Sequence, residues 1–506
     1  MRTEKTILNM LSDTIPFFLM GLLGFIKIRV FIYYLGDDFY GFSQLFLQVF
    51  SYLNLAEAGF GTAIVYALYK PIVNKDRDRI NRLLSGARII FRRIGIVILI
   101  IGAVLSFFMD YMIKGNPASY LYTQIVFIIY LITSTGNYFV FAPRFLLQAD
   151  QNKYLINWVT NTVRMIQMLT EIVLLMLGFD LMVIFISYFI FMIITNTIIN
   201  KLAYKKYPWI NVHGKPDFST YANTQHVMMH KIGSIIALNT DNIMLSAFVG
   251  IDMVAVYASY NYIIQFIISI TGKIINSTQE SFGNFFAMKD KKEGISAYWE
   301  MNALLFYMGS IIFTVTYLSI NNFILLWLGS DYLVSNTTVL LFCVIFFYRI
   351  VRGTSVVIVN GVGAFKETKW QALFEGLINL GLSLALVSQF EINGILFATI
   401  ISYLATGFWA VPNYIFKNVF HQPVRKYYIN YMMNVLIMIV ILFIFKRIVP
   451  VAGVYQNDVS LLQWFIESTV VTMTVGAIYF CIYYAVFKHF RLLVQRFVFM
   501  AKKRSR

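Results

Sequence analysis

Long apolar runs alternate along this chain with short polar breaks. A helix needs about 20 apolar residues to cross the hydrocarbon core of a bilayer. Runs of that kind recur from residues 9–35 and 40–69 at the start to 429–448 and 461–487 at the end. The pattern predicts an all-α membrane protein with about 14 transmembrane helices. The breaks on one side are short and mostly acidic or neutral, as in Gly36-Asp37-Asp38 and Gly178-Phe179-Asp180, with Lys114, Lys446 and Arg447 as exceptions. Those on the other side are basic. One opens with Lys75-Asp76-Arg77-Asp78-Arg79 and continues to Arg92-Arg93, with Ile80, Leu83, Leu84 and Ala87 on one face. That spacing predicts an amphipathic helix on the membrane surface, and residues 488–506 read the same way.

Charge then sets the orientation. If the first run enters from the cytoplasm, about 32 of the 41 Lys and Arg fall in cytoplasmic segments and about 3 outside. Both termini are therefore expected in the cytoplasm of a multi-pass protein of the cell membrane. The composition agrees, at 59% hydrophobic and 13% charged. No soluble chain of this length buries that much apolar surface. The net charge of +17 is spread over the basic loops. Topology and anionic headgroups account for it, and nucleic acid is not an expected partner.

The chain also repeats itself. Leu35-Gly36-Asp37-Asp38 resembles Val249-Gly250-Ile251-Asp252, and Ile186-Ser187-Tyr188 resembles Ile401-Ser402-Tyr403. The offsets, about 214 and 215 residues, share one register. This predicts two pseudo-symmetric six-helix lobes, residues 1–225 and 226–428, related by an axis along the membrane normal. Residues 429–506 add two further transmembrane helices and a basic cytoplasmic tail.

Catalytic chemistry is missing from the sequence. There is no Gly-x-x-x-x-Gly-Lys-[Ser/Thr] phosphate cradle and no metal-like spacing among the five His. Cys343 and Cys481 sit in apolar runs as small apolar residues. The chain does not read as an enzyme. A membrane glycosyltransferase would need a sizeable loop with clustered acid and base groups. A scaffold would have no use for charge inside the membrane.

Such charge is costly and marks function by default. Lys27 and Arg29 lie in the first span, Glu57 in the second, Arg164 and Glu171 in the fifth, Asp241 in the seventh, Lys273 in the eighth, and Arg349 and Arg352 in the tenth. Lys27 and Asp241 each lie nine positions before a loop Gly, about 13 Å deep, which makes them opposite charges at equivalent points of the repeat. Glu57 and Lys273 form a second such pair. These charges are expected to line a cavity between the lobes, against the alternative that each is neutralised within its own lobe. Arg29 is about 200° around the helix from Lys27, so both cannot face one narrow cavity. Arg349 and Arg352 share a face, and their forks suit a diphosphate; the alternative is an anchor at the cytoplasmic end of the span. No cofactor is expected. A buried carboxylate such as Glu171, Glu375 or Glu280 would serve coupling to a proton or Na+. Asn157, Asn161, Asn239 and Asn276 can bond a sugar or glue helices together, and glue is the commoner use.

The run from Arg29-Val-Phe-Ile-Tyr-Tyr-Leu-Gly-Asp-Asp-Phe-Tyr-Gly through Asn54-Leu-Ala-Glu-Ala-Gly-Phe-Gly to Tyr66-Ala-Leu-Tyr-Lys-Pro71 resembles the polysaccharide-transporter (Wzx-type flippase) family. That family belongs to the multidrug/oligosaccharidyl-lipid/polysaccharide (MOP) exporter superfamily. The resemblance implies two lobes in a V around a central cavity. It also implies alternating access for undecaprenyl-diphosphate-linked oligosaccharide, a precursor of cell-surface polysaccharide or teichoic acid, in the bacterial cytoplasmic membrane. Polysaccharide biosynthesis enzymes would be its neighbours. The alternative is a cation-coupled multidrug exporter of the same superfamily, against which the embedded cations argue.

Overall fold

The computed structural model describes residues 2–53, 60–140, 142–218, 240–287, 291–448 and 460–504. Every regular element among them is helical. In chain order the helices are α1 (Arg2–Leu35), α2 (Asp37–Leu53), α3 (Phe60–Val73), α4 (Arg77–Ser106), α5 (Tyr120–Val140), α6 (Ala142–Ala149), α7 (Lys153–Met176), α8 (Leu181–Lys206) and α9 (Asp241–Phe248). There follow α10 (Ile251–Ala287), α11 (Lys291–Trp327), α12 (Asn336–Val362), α13 (Phe365–Ala405), α14 (Gly407–Tyr414), α15 (Arg425–Ile448), α16 (Leu461–Val486) and α17 (Lys488–Arg504).

Among the described residues 11 helices are long and apolar enough to span a membrane. The difference from 14 has a structural cause. The expected spans at 370–387 and 392–416 join as one helical run, Glu367–Phe420, reversed at Glu391. The backbone there takes φ 50°, ψ −127°. Asn379 and Thr399 hydrogen-bond across the hairpin at 2.9 Å. Spans two and seven each include residues outside the described set.

Local chemistry fixes the ends. Asp76, Asp180, Ser335 and Ser460 each accept a hydrogen bond from the backbone N–H three residues on, which caps α4, α8, α12 and α16. Gly36 ends α1 and Gly178 follows α7, at φ 88° and 81°. A β-carbon disfavours that left-handed backbone. Large apolar side chains on the spans point outward, among them Leu22, Ile100, Leu436, Leu462 and Met473. Lipid is the solvent that accepts such a surface.

The chain divides into two compact units, Met1–Ser259 and Tyr260–Arg506. In the first, α1 packs along α7, and Asn157 and Asn161 reach Ser12 at 3.3 and 2.9 Å. These two Asn act as the glue expected of them. Ile80, Leu83, Leu84 and Ala87 are buried, as their periodicity demands, although α4 runs on through them into the third span. The chain's own segment near residues 209–217 packs against α4 there. Asp217 N–H donates to the Arg82 carbonyl at 3.0 Å, Asn81 donates to the Trp209 carbonyl at 3.3 Å, and Arg77 sits over the Trp209 ring. The protein, not the membrane surface, covers these residues. Nearby, Asp150 accepts from Tyr207 at 2.6 Å and from Asn152 at 2.8 Å.

In the second unit α11 is the hub, touching α12, α15, α16 and α17. The additional helix α16 is fastened by polar contacts. Tyr479 pairs with Thr314 at 3.0 Å and Tyr483 with Ser310 at 3.3 Å, all four buried. In lipid the hydrophobic effect no longer drives helices together, so such bonds and close packing carry the association.

Candidate functional site

Embedded charge gathers at two places in the first unit. Lys27 of α1 meets Glu171 of α7 at 3.1 Å. Glu171 is 1% exposed and Lys27 26%. Tyr188 of α8 has Glu171 and Arg164 as electrostatic neighbours, and Tyr130 of α5 has Arg164. Four helices thus converge on one polar cluster. Arg29, two residues beyond Lys27, is exposed, and so is Arg164. The helical rotation that keeps Lys27 and Arg29 apart is visible in these different surroundings.

The second place is at Asp241, the first residue of α9. Tyr257 of α10 donates to its Oδ2. Lys27 and Asp241 therefore each have a partner of their own within one unit. Around Asp241 lies a set of contacts that charge alone did not reveal. Asn242 N–H donates to Gln48 Oε1 at 2.8 Å, and its side chain reaches the Gln44 carbonyl at 3.5 Å. Tyr52 pairs with Thr240. Ser246 donates to the Met112 carbonyl at 2.8 Å, and Lys114 donates to the carbonyls of Ser246 and Phe248. Gln44, Gln48 and Tyr52 recur every four residues, one stripe of a helix. That polar stripe in an apolar run was the signal available in the sequence.

In the second unit Arg349 and Arg352 share α12 but have different surroundings. Arg349 donates to Gln265 of α10 at 3.4 Å. Arg352 donates from one nitrogen, Nη1, to both carboxylate oxygens of Glu375 of α13, at 2.9 and 3.1 Å. Glu375 also accepts from Gln371 at 2.5 Å and from Thr406 at 3.1 Å. The Arg352 guanidinium, expected to suit a diphosphate, holds a carboxylate here. Lys273 of α10 is half-buried and engaged. Glu57, Asn239, His226 and His230 lie outside the described residues, as do the side chains of Glu280 and Asn276. Among the described residues no group of three or more His, Cys, Asp or Glu is placed to hold a metal ion.

The Arg352–Glu375 pair leaves no room beside it. A β-carbon on Gly407 would come within 2.7 Å of Glu375 Oε2, 2.9 Å of the Tyr348 hydroxyl and 3.1 Å of Arg352 Cζ. We expect Gly407→Ala to destabilise the protein by about 1–3 kcal/mol through overpacking. A lowered unfolding midpoint in detergent would show it, and an unchanged midpoint would refute it.

No family model and no curated protein matches the sequence. Solved structures match in fold. One, the lipid II flippase MurJ in an inward closed conformation, aligns over 93% of this chain and 98% of its own, with TM-score 0.69 and 14% identity. A multidrug resistance MATE family transporter of the MOP superfamily, inward-facing, aligns over 79% of this chain and 97% of its own, with TM-score 0.64 and 15% identity. A MOP superfamily transporter from Pyrococcus furiosus aligns over 81% and 96%, with TM-score 0.52 and 15% identity. The fold of this chain is that of the MOP superfamily transporters.

Proposed function

We propose that the protein is a flippase for a lipid-linked oligosaccharide carried on undecaprenyl diphosphate, working by alternating access with both termini in the cytoplasm. The observation that carries this reading is the exposure of Arg29 and Arg164 on membrane helices. A guanidinium facing hydrocarbon is costly, so these groups call for a polar or anionic occupant. A diphosphate supplies the matching oxygens. The match in fold to a lipid II flippase over nearly the whole chain supports the same class.

Arg352 is committed to Glu375, so Arg349 is the tenth-span residue with the freer fork. The test is binding of undecaprenyl-diphosphate sugar to the purified protein, set against a panel of cationic drugs. Arg29→Gln, Arg164→Gln and Arg349→Gln are compared with the native chain. Loss of a charge-assisted hydrogen bond is worth about 1.5–3 kcal/mol, so lipid binding should weaken about tenfold or more in at least one variant. Drug binding with no response to the lipid would overturn the flippase reading and favour the multidrug one. Lys27→Ala, Asp241→Ala and the charge-swapped double test in transport the two charges that the repeat relates. Full activity in both single variants would remove both charges from the mechanism.

A further inference from the structure

Among its described side chains, the last helix is only partly covered by the protein. α17 begins one residue after the α16 span, past an extended Phe487. Its first turns are docked. Phe490 is buried against Tyr307 and Tyr483, His489 stacks on Trp299, and Arg491 donates to the carbonyls of Tyr484 and Ala485 at the end of α16. Arg496 reaches Glu300 of α11 at 3.3 Å. Glu300 is buried, while Arg496 is 61% exposed and so keeps most of its guanidinium free.

Past Arg496 the described side chains, at 497–499, are exposed. Phe497 lies seven residues after Phe490, on the same helix face. Phe490 is 2% exposed and Phe497 57%. Val498 and Phe499 are exposed as well, and they point in other directions around the helix. An apolar stretch open on several sides is thus bounded by basic residues. The 17 residues of α17 include Lys488, Arg491, Arg496, Lys502, Lys503 and Arg504, and no acid.

We infer that the distal half of α17 docks on the bilayer surface where α16 ends and binds anionic phospholipid headgroups. Phe497, Val498 and Phe499 enter the boundary between headgroups and acyl chains. Arg496 is shared between Glu300 and lipid phosphate. The occupant follows from charge and position together. A purely cationic helix wants an anionic partner, and a segment one residue from a membrane span is already at the interface. Aromatic and aliphatic groups flanked by Arg and Lys are the pattern of an interfacial helix. This inference does not depend on which substrate the protein carries.

The test uses the full chain in vesicles. Cys481→Ser removes the exposed thiol, Cys343 is buried, and Phe499→Cys carries an environment-sensitive fluorophore. Quenching is measured with a doxyl-labelled lipid and with aqueous iodide, in phosphatidylcholine alone and with phosphatidylglycerol added. We expect the lipid-borne quencher to dominate and its effect to grow with phosphatidylglycerol. Arg496→Gln should reduce the phosphatidylglycerol response about fivefold, the worth of one interfacial cation. Glu300→Gln, which keeps every basic residue and releases Arg496, should hold or increase it. That second variant separates lost headgroup binding from an undocked helix. Dominant iodide quenching, shielding from both quenchers, or equal lipid quenching in the two compositions would each overturn the inference.

Discussion

Arg352→Ala should lower the stability of the protein by about 3–5 kcal/mol, because it leaves the Glu375 carboxylate buried without its cation. Glu375 is 9% exposed and Arg352 20%, so little solvent reaches either group. Gln371 and Thr406 would still bond the carboxylate, but neither carries a compensating charge. Glu375→Ala should be as damaging for the mirror-image reason. Replacing both together, as Arg352→Met with Glu375→Leu, should recover most of the loss, since a buried ion pair is often no better than apolar groups of its volume. The measurement is the unfolding midpoint in detergent for the two single variants and the double. If the double is no more stable than the worse single, Arg352 and Glu375 do not act as a pair. A transport assay on the double then separates stability from function. A stable but inactive double would give the pair a role in the cycle, and an active one would leave it structural.

The second large effect concerns the contacts between α2 and α9. With thiols at Gln48→Cys and Asn242→Cys, on a Cys481→Ser background, a short bifunctional thiol reagent should abolish transport. Alternating access requires an outer closure that opens once per cycle. On the flippase reading proposed above, the side chains of Gln48 and Tyr52, held against Asn242 and Thr240, are the candidates for that closure. Each hydrogen bond contributes about 0.5–1.5 kcal/mol net, strong enough as a set to hold and weak enough to release. The doubly substituted protein without the reagent should retain transport, and a monofunctional thiol reagent of similar size should not block it. Full transport by the crosslinked protein would mean that these helices stay together throughout the cycle.

The fold class was legible because hydropathy needs no tertiary information. Most apolar runs declare a helix of their own, and Gly36 and Gly178 mark two of the turns. The hairpin at Glu391 was legible as a break between two spans, although the helical run continues through it. The site was less legible, for a physical reason. An embedded charge announces itself in the sequence, but its partner does not. Lys27 and Glu171 lie on α1 and α7, and no local spacing connects them. Repeat symmetry pointed Lys27 toward Asp241 because symmetry relates equivalent positions, whereas ion pairing depends on which helices touch. α1 touches α7, and that contact decided the partner. The periodicity of Ile80, Leu83, Leu84 and Ala87 shows the same limit. It identified a buried face without identifying the segment that buries it.

The contact between Gln48 and Asn242 also bears on how the protein is made. The two residues are 194 positions apart in the chain. At about 5–20 residues per second, synthesis reaches Asn242 roughly 10–40 s after Gln48. During that interval the Gln48 and Tyr52 side chains of α2 are without their native partners. Newly inserted helices of this protein therefore pass through a long-lived stage with hydrogen-bonding capacity to spare, in which the membrane-insertion machinery or an incorrect neighbouring helix can occupy these groups. Slowing translation between the second and seventh spans should lengthen that stage, and faults in assembly should concentrate on α2.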